Sequence, residues 1–144
     1  MNTGERGIAL IRSFEQLRLK AYLPTPDDKW TCGWGSTKGV TVDTVWTEEE
    51  AEAHFQEDIA DVERCLNRAL QGVTLTQNQY DALASWTFNL GCNALHTSTL
   101  LVHILDGNDD LAAAEFPKWR KQGLKVLPGL VRRRAAEREL FEAA

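Results

Sequence analysis

The chain reads as an α+β protein, mainly helical, with one small antiparallel sheet lobe near the N-terminus. Three observations predict it. Apolar residues recur at helical spacing from Ile8 onward and again from Ala51 to the end. Between these runs lies a stretch, Ala21 to Gly35, that is aromatic, β-branched and glycine-containing around a polar turn. Two capping boxes, Thr47-Glu48-Glu49-Glu50 and Thr76-Gln77-Asn78-Gln79, mark where long helices begin.

In order, Ile8, Leu10, Ile11, Phe14, Leu17 and Leu19 define a first helix of about three turns. Residues 21–23 and 30–35 read as two short strands flanking Pro24-Thr25-Pro26-Asp27-Asp28-Lys29, and 40–45 as either a third segment or a loop. After the first capping box, Ala51, Phe55, Ile59, Val62, Leu66 and Leu70 recur every three or four residues, giving a long amphipathic helix that ends near Gly72. The second box opens a helix through Tyr80, Leu83, Ala84 and Phe88 that stops at Gly91. Short helices follow over 98–105 and 110–119, then a basic loop over 121–129 and a last helix over 130–142. The expectation is a single catalytic domain, 1–144, with lobes of about 1–46 and 73–144 joined by a helix over 47–71.

Composition narrows the function. A formal net charge of -5 excludes a protein built to coat nucleic acid. No run of about 18 apolar residues could span a membrane, and the polar start Met1-Asn2-Thr3-Gly4-Glu5 predicts cytoplasmic synthesis without an export signal. Cys32, Cys65 and Cys92 are odd in number and widely spaced, so they are expected to be reduced and half-buried rather than bridged or metal-bound. His54, His96 and His103 stand far apart in sequence, and no His-Glu-x-x-His or Cys-x-x-Cys spacing occurs, which disfavours a zinc amidase. No nucleophile elbow is present.

Chemistry concentrates around Glu15 and Thr31. A carboxylate at a helix end is followed, sixteen residues on, by Thr31-Cys32-Gly33-Trp34-Gly35 on the second strand of a hairpin. That layout sets one acid on a rigid element and faces it with a hydroxyl across a groove open enough for a polymer, which points to a glycan-cleaving site. The residues alone also admit plainer readings. Glu15 could pair with Arg18 as a solvated helix-end group, Thr31 could be an ordinary β-former, and Asp27-Asp28 could be ordinary turn residues.

Six separated stretches resemble the phage-type lysozymes, the endolysin muramidases of glycoside hydrolase family 24. They are Phe14-Glu15 with Arg18 to Tyr22; Trp30 to Gly35; Leu75 to Leu83; Phe88-Asn89-Leu90-Gly91; Ser98 to Leu101; and Phe116 to Phe141 with its Pro128-Gly129-Leu130-Val131-Arg132-Arg133-Arg134 run. They cover nearly the whole chain in the family's order. The resemblance implies hydrolysis of the β-1,4 bond between N-acetylmuramic acid and N-acetylglucosamine in peptidoglycan, with inversion and without cofactor or metal.

The family's site pattern is a glutamate, an aspartate nine residues on, and a threonine six after that. Glu15 and Thr31 match the outer members, but the ninth position is Pro24 and the turn is one residue longer. Asp27 and Asp28 are the carboxylates available there, and Asp27 is the expected partner because it shares strand parity with Thr31. Ser36 stands where the family often carries a histidine, so a supporting contact is missing or replaced. As general acid, Glu15 needs an apolar surround, with Tyr22 and Trp34 as expected walls and substrate-binding groups. Asn89 falls where the family uses an amide to touch sugar. Trp119 reads as core before sugar platform, and Arg132, Arg133 and Arg134 as either a wall-binding patch or internal partners of Glu137 and Glu139.

The implied partners are peptidoglycan glycan strands and a holin, with no nucleic acid and no stable membrane insertion. The implied life cycle is a monomer held in the host cytoplasm and released onto the periplasmic wall. A lytic transglycosylase using the glutamate alone, or a non-catalytic peptidoglycan-binding module, are the alternatives.

Overall fold

A computed structural model describes all 144 residues. Helix α1, Glu5–Glu15, begins with no side-chain cap of its own. Asp81, distant in sequence, does that work instead. Its carboxylate accepts the Gly4 and Gly7 N–H groups at 2.8 and 3.2 Å, placing a negative charge at the positive end of α1. Strands β1, Arg18–Tyr22, and β2, Thr31–Gly33, pair antiparallel, with an irregularity between Arg18↔Gly33 and Tyr22↔Thr31. The segment over 40–45 touches the free edge of β1 only briefly. The Ala21 N–H donates to the Thr44 carbonyl and the Trp46 N–H to the Leu19 carbonyl, around a single Lys20–Val45 bridge.

Both capping boxes form, each with its threonine hydroxyl accepting from the third helical N–H and the Glu50 or Gln79 side chain reaching back. They open α2, Glu48–Ala69, and α3, Gln77–Leu90. Then come α4, Cys92–Thr97; α5, Thr99–Leu105; α6, Asp109–Glu115; and a single 3₁₀ turn, Phe116–Lys118. The stretch expected to be a basic loop holds a two-stranded hairpin, β3, Lys121–Gln122, and β4, Lys125–Val126. Helix α7, Pro128–Glu142, starts with proline in its first turn, where a missing N–H costs nothing. Helix α4 also escapes sequence reading, because six residues carry too little periodicity to register.

Most of the core lies among α2 to α7, around Leu66, Tyr80, Leu83, Trp86, Leu100 and Phe116. A second, small cluster of Ile11, Phe55 and Ile59 joins α1 to α2. Because α1 packs on α3 and α7, the first fifteen residues sit with the helical lobe. The boundary expected at residue 46 therefore runs differently: the chain starts in the helical lobe, leaves after Glu15 for the sheet, and returns along α2.

The cysteines correct an expectation. Cys65 on α2 and Cys92 on α4 form a disulfide across 27 residues of sequence, while Cys32 is free and fully buried. The reversal of the chain between α2 and α3 brings the two sulfurs together, and spacing along the sequence carries no trace of that. No helix is long and apolar enough to cross a membrane.

Candidate active site

A cleft of about 930 Å³ runs between the sheet and the helical lobe. Glu15, Tyr22, Asp28, Thr31, Asn89 and Gln122 are among the residues that line it. Glu15 is the last residue of α1. Gln16 follows with φ of 43°, the one non-glycine residue in the positive-φ region, and this turns the chain out of the helix into β1. Opposite stands Gly35, φ 82°, whose missing side chain is required: a Cβ there would collide with the Glu15 carboxylate.

Glu15 does not pair with Arg18. Its Oε1 accepts from Arg133 Nη1 at 2.6 Å, and Arg133 is 4 % exposed. The same guanidinium donates to the Ser85 carbonyl at 3.2 Å and to Glu137 Oε2 at 3.3 Å. Glu137, fully buried, also accepts from Ser85 Oγ at 2.6 Å and Arg134 Nη2 at 3.1 Å. Burial pushes the Glu137 carboxyl up, against the lowering pull of Arg134 and Arg133. Arg134 completes the chain by donating to Asn89 Oδ1 at 2.9 Å. An unbroken polar line thus runs Glu15–Arg133–Glu137–Arg134–Asn89 through the helical lobe. Arg133 and Arg134 are interior partners of Glu137, not a surface patch; Arg132 alone of the three is exposed.

Asp28, not Asp27, faces the cleft. The Asp28 N–H donates to the Thr25 carbonyl at 3.0 Å, closing a turn that removes the strand parity on which Asp27 was chosen. Asp27 is exposed and outside the cleft lining. The Asp28 carboxylate is held by two contacts, Thr25 Oγ1 donating to Oδ2 at 2.9 Å and Gln122 Nε2 to Oδ1 at 3.1 Å, and Gln122 Nε2 also donates to Thr25 Oγ1 at 3.2 Å. Thr31, 6 % exposed, gives its hydroxyl proton to the Lys29 carbonyl at 3.0 Å. Its oxygen lone pairs are thereby left to accept.

Tyr22 lines the cleft with the Arg18 guanidinium 4.4 Å above its ring. Its phenol is pushed up first by burial and then by the charge of Glu15, with Asp28 adding to the rise and Arg18 opposing it. Trp34 is not a cleft wall. It packs against Phe55, ring centres 6.2 Å apart, with Arg12 stacked on both rings. Trp119 meets Trp86 edge-on at 5.1 Å beside the core, as expected. Ser36 has a contact of its own: Oγ donates to Asp58 Oδ2 on α2 at 2.6 Å. Sequence reasoning missed Gln122 and had Arg133 only as one of two alternatives; the four-residue step from Arg133 to Glu137 was the available signal.

A glutamate at a helix end, a second carboxylate and a threonine lining one open cleft, in a two-lobed helical fold with a small sheet, define a lysozyme-type glycoside hydrolase. The chain belongs to the phage lysozyme family, whose model matches residues 12–137. It is 47% identical over 148 residues to an endolysin of Acyrthosiphon pisum secondary endosymbiont phage 1, with 100% of both chains covered. An endolysin of Bacillus phage PZA is 44% identical over 99% of this chain, which spans 56% of that longer protein. Among solved structures, the muramidase domain of SpmX from Asticaccaulis excentricus superposes with a TM-score of 0.89 at 34% identity, covering 99% of each chain.

Proposed function

We propose that this enzyme hydrolyses the β-1,4 bond between N-acetylmuramic acid and N-acetylglucosamine by inversion, with Glu15 as acid and Asp28 as base. The observation that carries the reading is that Glu15, Asp28 and Thr31 line one open cleft. Glu15 protonates the leaving glycosidic oxygen as the C–O bond breaks. A water on the opposite face of the sugar gives a proton to Asp28 and forms the new C–O bond, while Thr31 Oγ1 accepts the water's second hydrogen and fixes its angle. Asp28 takes the part expected of Asp27, because the turn aims it inward. Asn89 offers its amide N–H₂ to the substrate while Arg134 holds its oxygen. Tyr22 forms the apolar floor with a polar tip.

The enzyme acts as a monomer on peptidoglycan strands, made in the host cytoplasm and reaching the periplasmic wall after holin-mediated release. The endolysins among its relatives support that setting.

The test is clearing of outer-membrane-permeabilised cells, with mass spectrometry of the fragments. Glu15→Gln and Asp28→Asn are expected to abolish clearing, Thr31→Ala to reduce it severely, and Asp27→Asn to leave it intact, with fragments ending in reducing N-acetylmuramic acid. Anhydro-sugar ends with an active Asp28→Asn variant would replace hydrolysis by transglycosylation. An active Glu15→Gln variant would overturn the site itself.

A further inference from the structure

Away from the cleft chemistry, three metal-binding side chains converge where α2 meets α4. Cys65 Sγ, Cys92 Sγ and a ring nitrogen of His96 all lie within 4.8 Å of one another. Cys92 and His96 are four residues apart on α4, so both project from one face of the helix, and Cys65 comes to them from α2. In the structure the two sulfurs are bonded to each other, which leaves no thiolate for a cation. Cleaving that bond would free two thiols beside the His96 ring.

We propose that the reduced protein holds one zinc-class cation on Cys65, Cys92 and His96, so that α2 and α4 are cross-linked by a disulfide in one redox state and by a metal in the other. Tetrahedral zinc with two thiolates and an imidazole spaces its ligand atoms roughly 3.5–4 Å apart, a span the trio meets with small side-chain adjustment. Two sulfurs and one nitrogen suit a soft or borderline ion, not magnesium or calcium. Cys65 and Cys92 line an open pocket, so the fourth position is available to water; Asp61, one helical turn before Cys65, lines the same pocket but is paired with Arg64.

The steps balance with a phosphine as reductant. It takes oxygen from water to become a phosphine oxide, and the S–S bond accepts two electrons and two protons to become two thiols. Metal entry then releases those two protons, while His96 binds as neutral imidazole. The spacing from Cys65 to Cys92, 27 residues, lies outside any zinc signature, which is why sequence gives no hint of the site. This site is independent of the proposed catalytic reading.

The experiment uses the full chain carrying Cys32→Ser, so that the buried free thiol plays no part. Protein reduced with a phosphine and freed of it by gel filtration is titrated with cobalt(II), alongside oxidised protein. Reduced protein is expected to bind one cobalt per chain, with thiolate-to-cobalt charge transfer in the near ultraviolet and strong tetrahedral bands in the visible. Oxidised protein and Cys92→Ser are expected to show neither, and His96→Ala to bind at least tenfold more weakly. Zinc should displace the cobalt and raise the melting temperature of the reduced protein alone, including any fraction that unfolds on reduction. A reduced chain without the thiolate band, or a His96→Ala variant with unchanged affinity, would overturn the proposal.

Discussion

Gln122 on the β3–β4 hairpin donates a hydrogen bond to Asp28 in the turn before β2, across 94 residues of sequence, and both residues line the cleft. Each side therefore positions the other: the hairpin steadies the carboxylate, and the turn that carries Asp28 anchors the hairpin. Gln122→Ala is expected to lower kcat by roughly ten- to a hundredfold, since a misplaced base costs rate steeply. Stability should fall by only about 0.5–1.5 kcal/mol, the worth of an ordinary hydrogen bond. Steady-state kinetics on soluble peptidoglycan, beside denaturant melts, measure both; an unchanged kcat would deny the residue this role.

Arg133 serves Glu15, Ser85 and Glu137 at once. Arg133→Leu leaves Glu137 with Arg134 as its only cation beside the Ser85 hydroxyl, and Glu15 with no counter-charge, and should cost about 3–5 kcal/mol, as removal of one partner from a buried ion pair does. Arg133→Lys should recover part of this, because an ammonium is a point charge that cannot span three acceptors in a planar fork. Urea unfolding followed by circular dichroism gives the comparison. A loss under 1 kcal/mol for the leucine variant would contradict the network described.

Gly35 and Gly39 separate backbone strain from steric conflict. Both have positive φ, 82° and 72°, but a Cβ at Gly39 meets nothing within 4 Å. Gly39→Ala should cost about 1–2 kcal/mol through backbone strain alone and keep wall-clearing activity. Gly35→Ala should carry the same strain and lose activity as well, because it pushes on the Glu15 carboxylate. Equal activity in the two variants would mean that Glu15 tolerates displacement.

Asp58 gives a pH signature. Burial raises its carboxyl above the ordinary aspartate range, opposed by the Ser36 hydrogen bond and the charge of His54, with Asp61 and Glu57 adding to the rise. The folded state thus binds this proton more tightly than the unfolded chain does. Its contribution is complete at acid pH and is lost as pH rises from the unfolded aspartate value through the higher native one. Asp58→Asn keeps an acceptor for Ser36 and removes the decline. The stability of the variant relative to wild type should therefore climb between acid and neutral pH; a flat difference across denaturation curves in that window would refute the assignment.

The elements most legible in the sequence were those written in near neighbours. The two capping boxes fall where Thr47 and Thr76 predict them, because the hydrogen bonds that make them span three residues. The long α2 follows directly from the apolar recurrence of Ala51 through Leu66. Less legible were α4 and the β3–β4 hairpin, too short for any periodicity to declare itself. The reading of Asp27 through strand parity failed because Thr25 and Asp28 close a turn, and parity holds only where the backbone stays extended.

By itself, then, the sequence determined the order of helices and sheet, the placement of Glu15 at a helix end and Thr31 on a strand, and the family to which they point. The tertiary structure alone decided which aspartate faces the cleft, that Arg133 rather than Arg18 meets Glu15, that Trp34 packs inward, and that Cys65 finds Cys92. The reason is the range of the forces. Periodicity and capping act within one or two turns of chain, whereas the Glu15–Arg133 pair joins groups 118 residues apart, and only the packed core brings them within 2.6 Å.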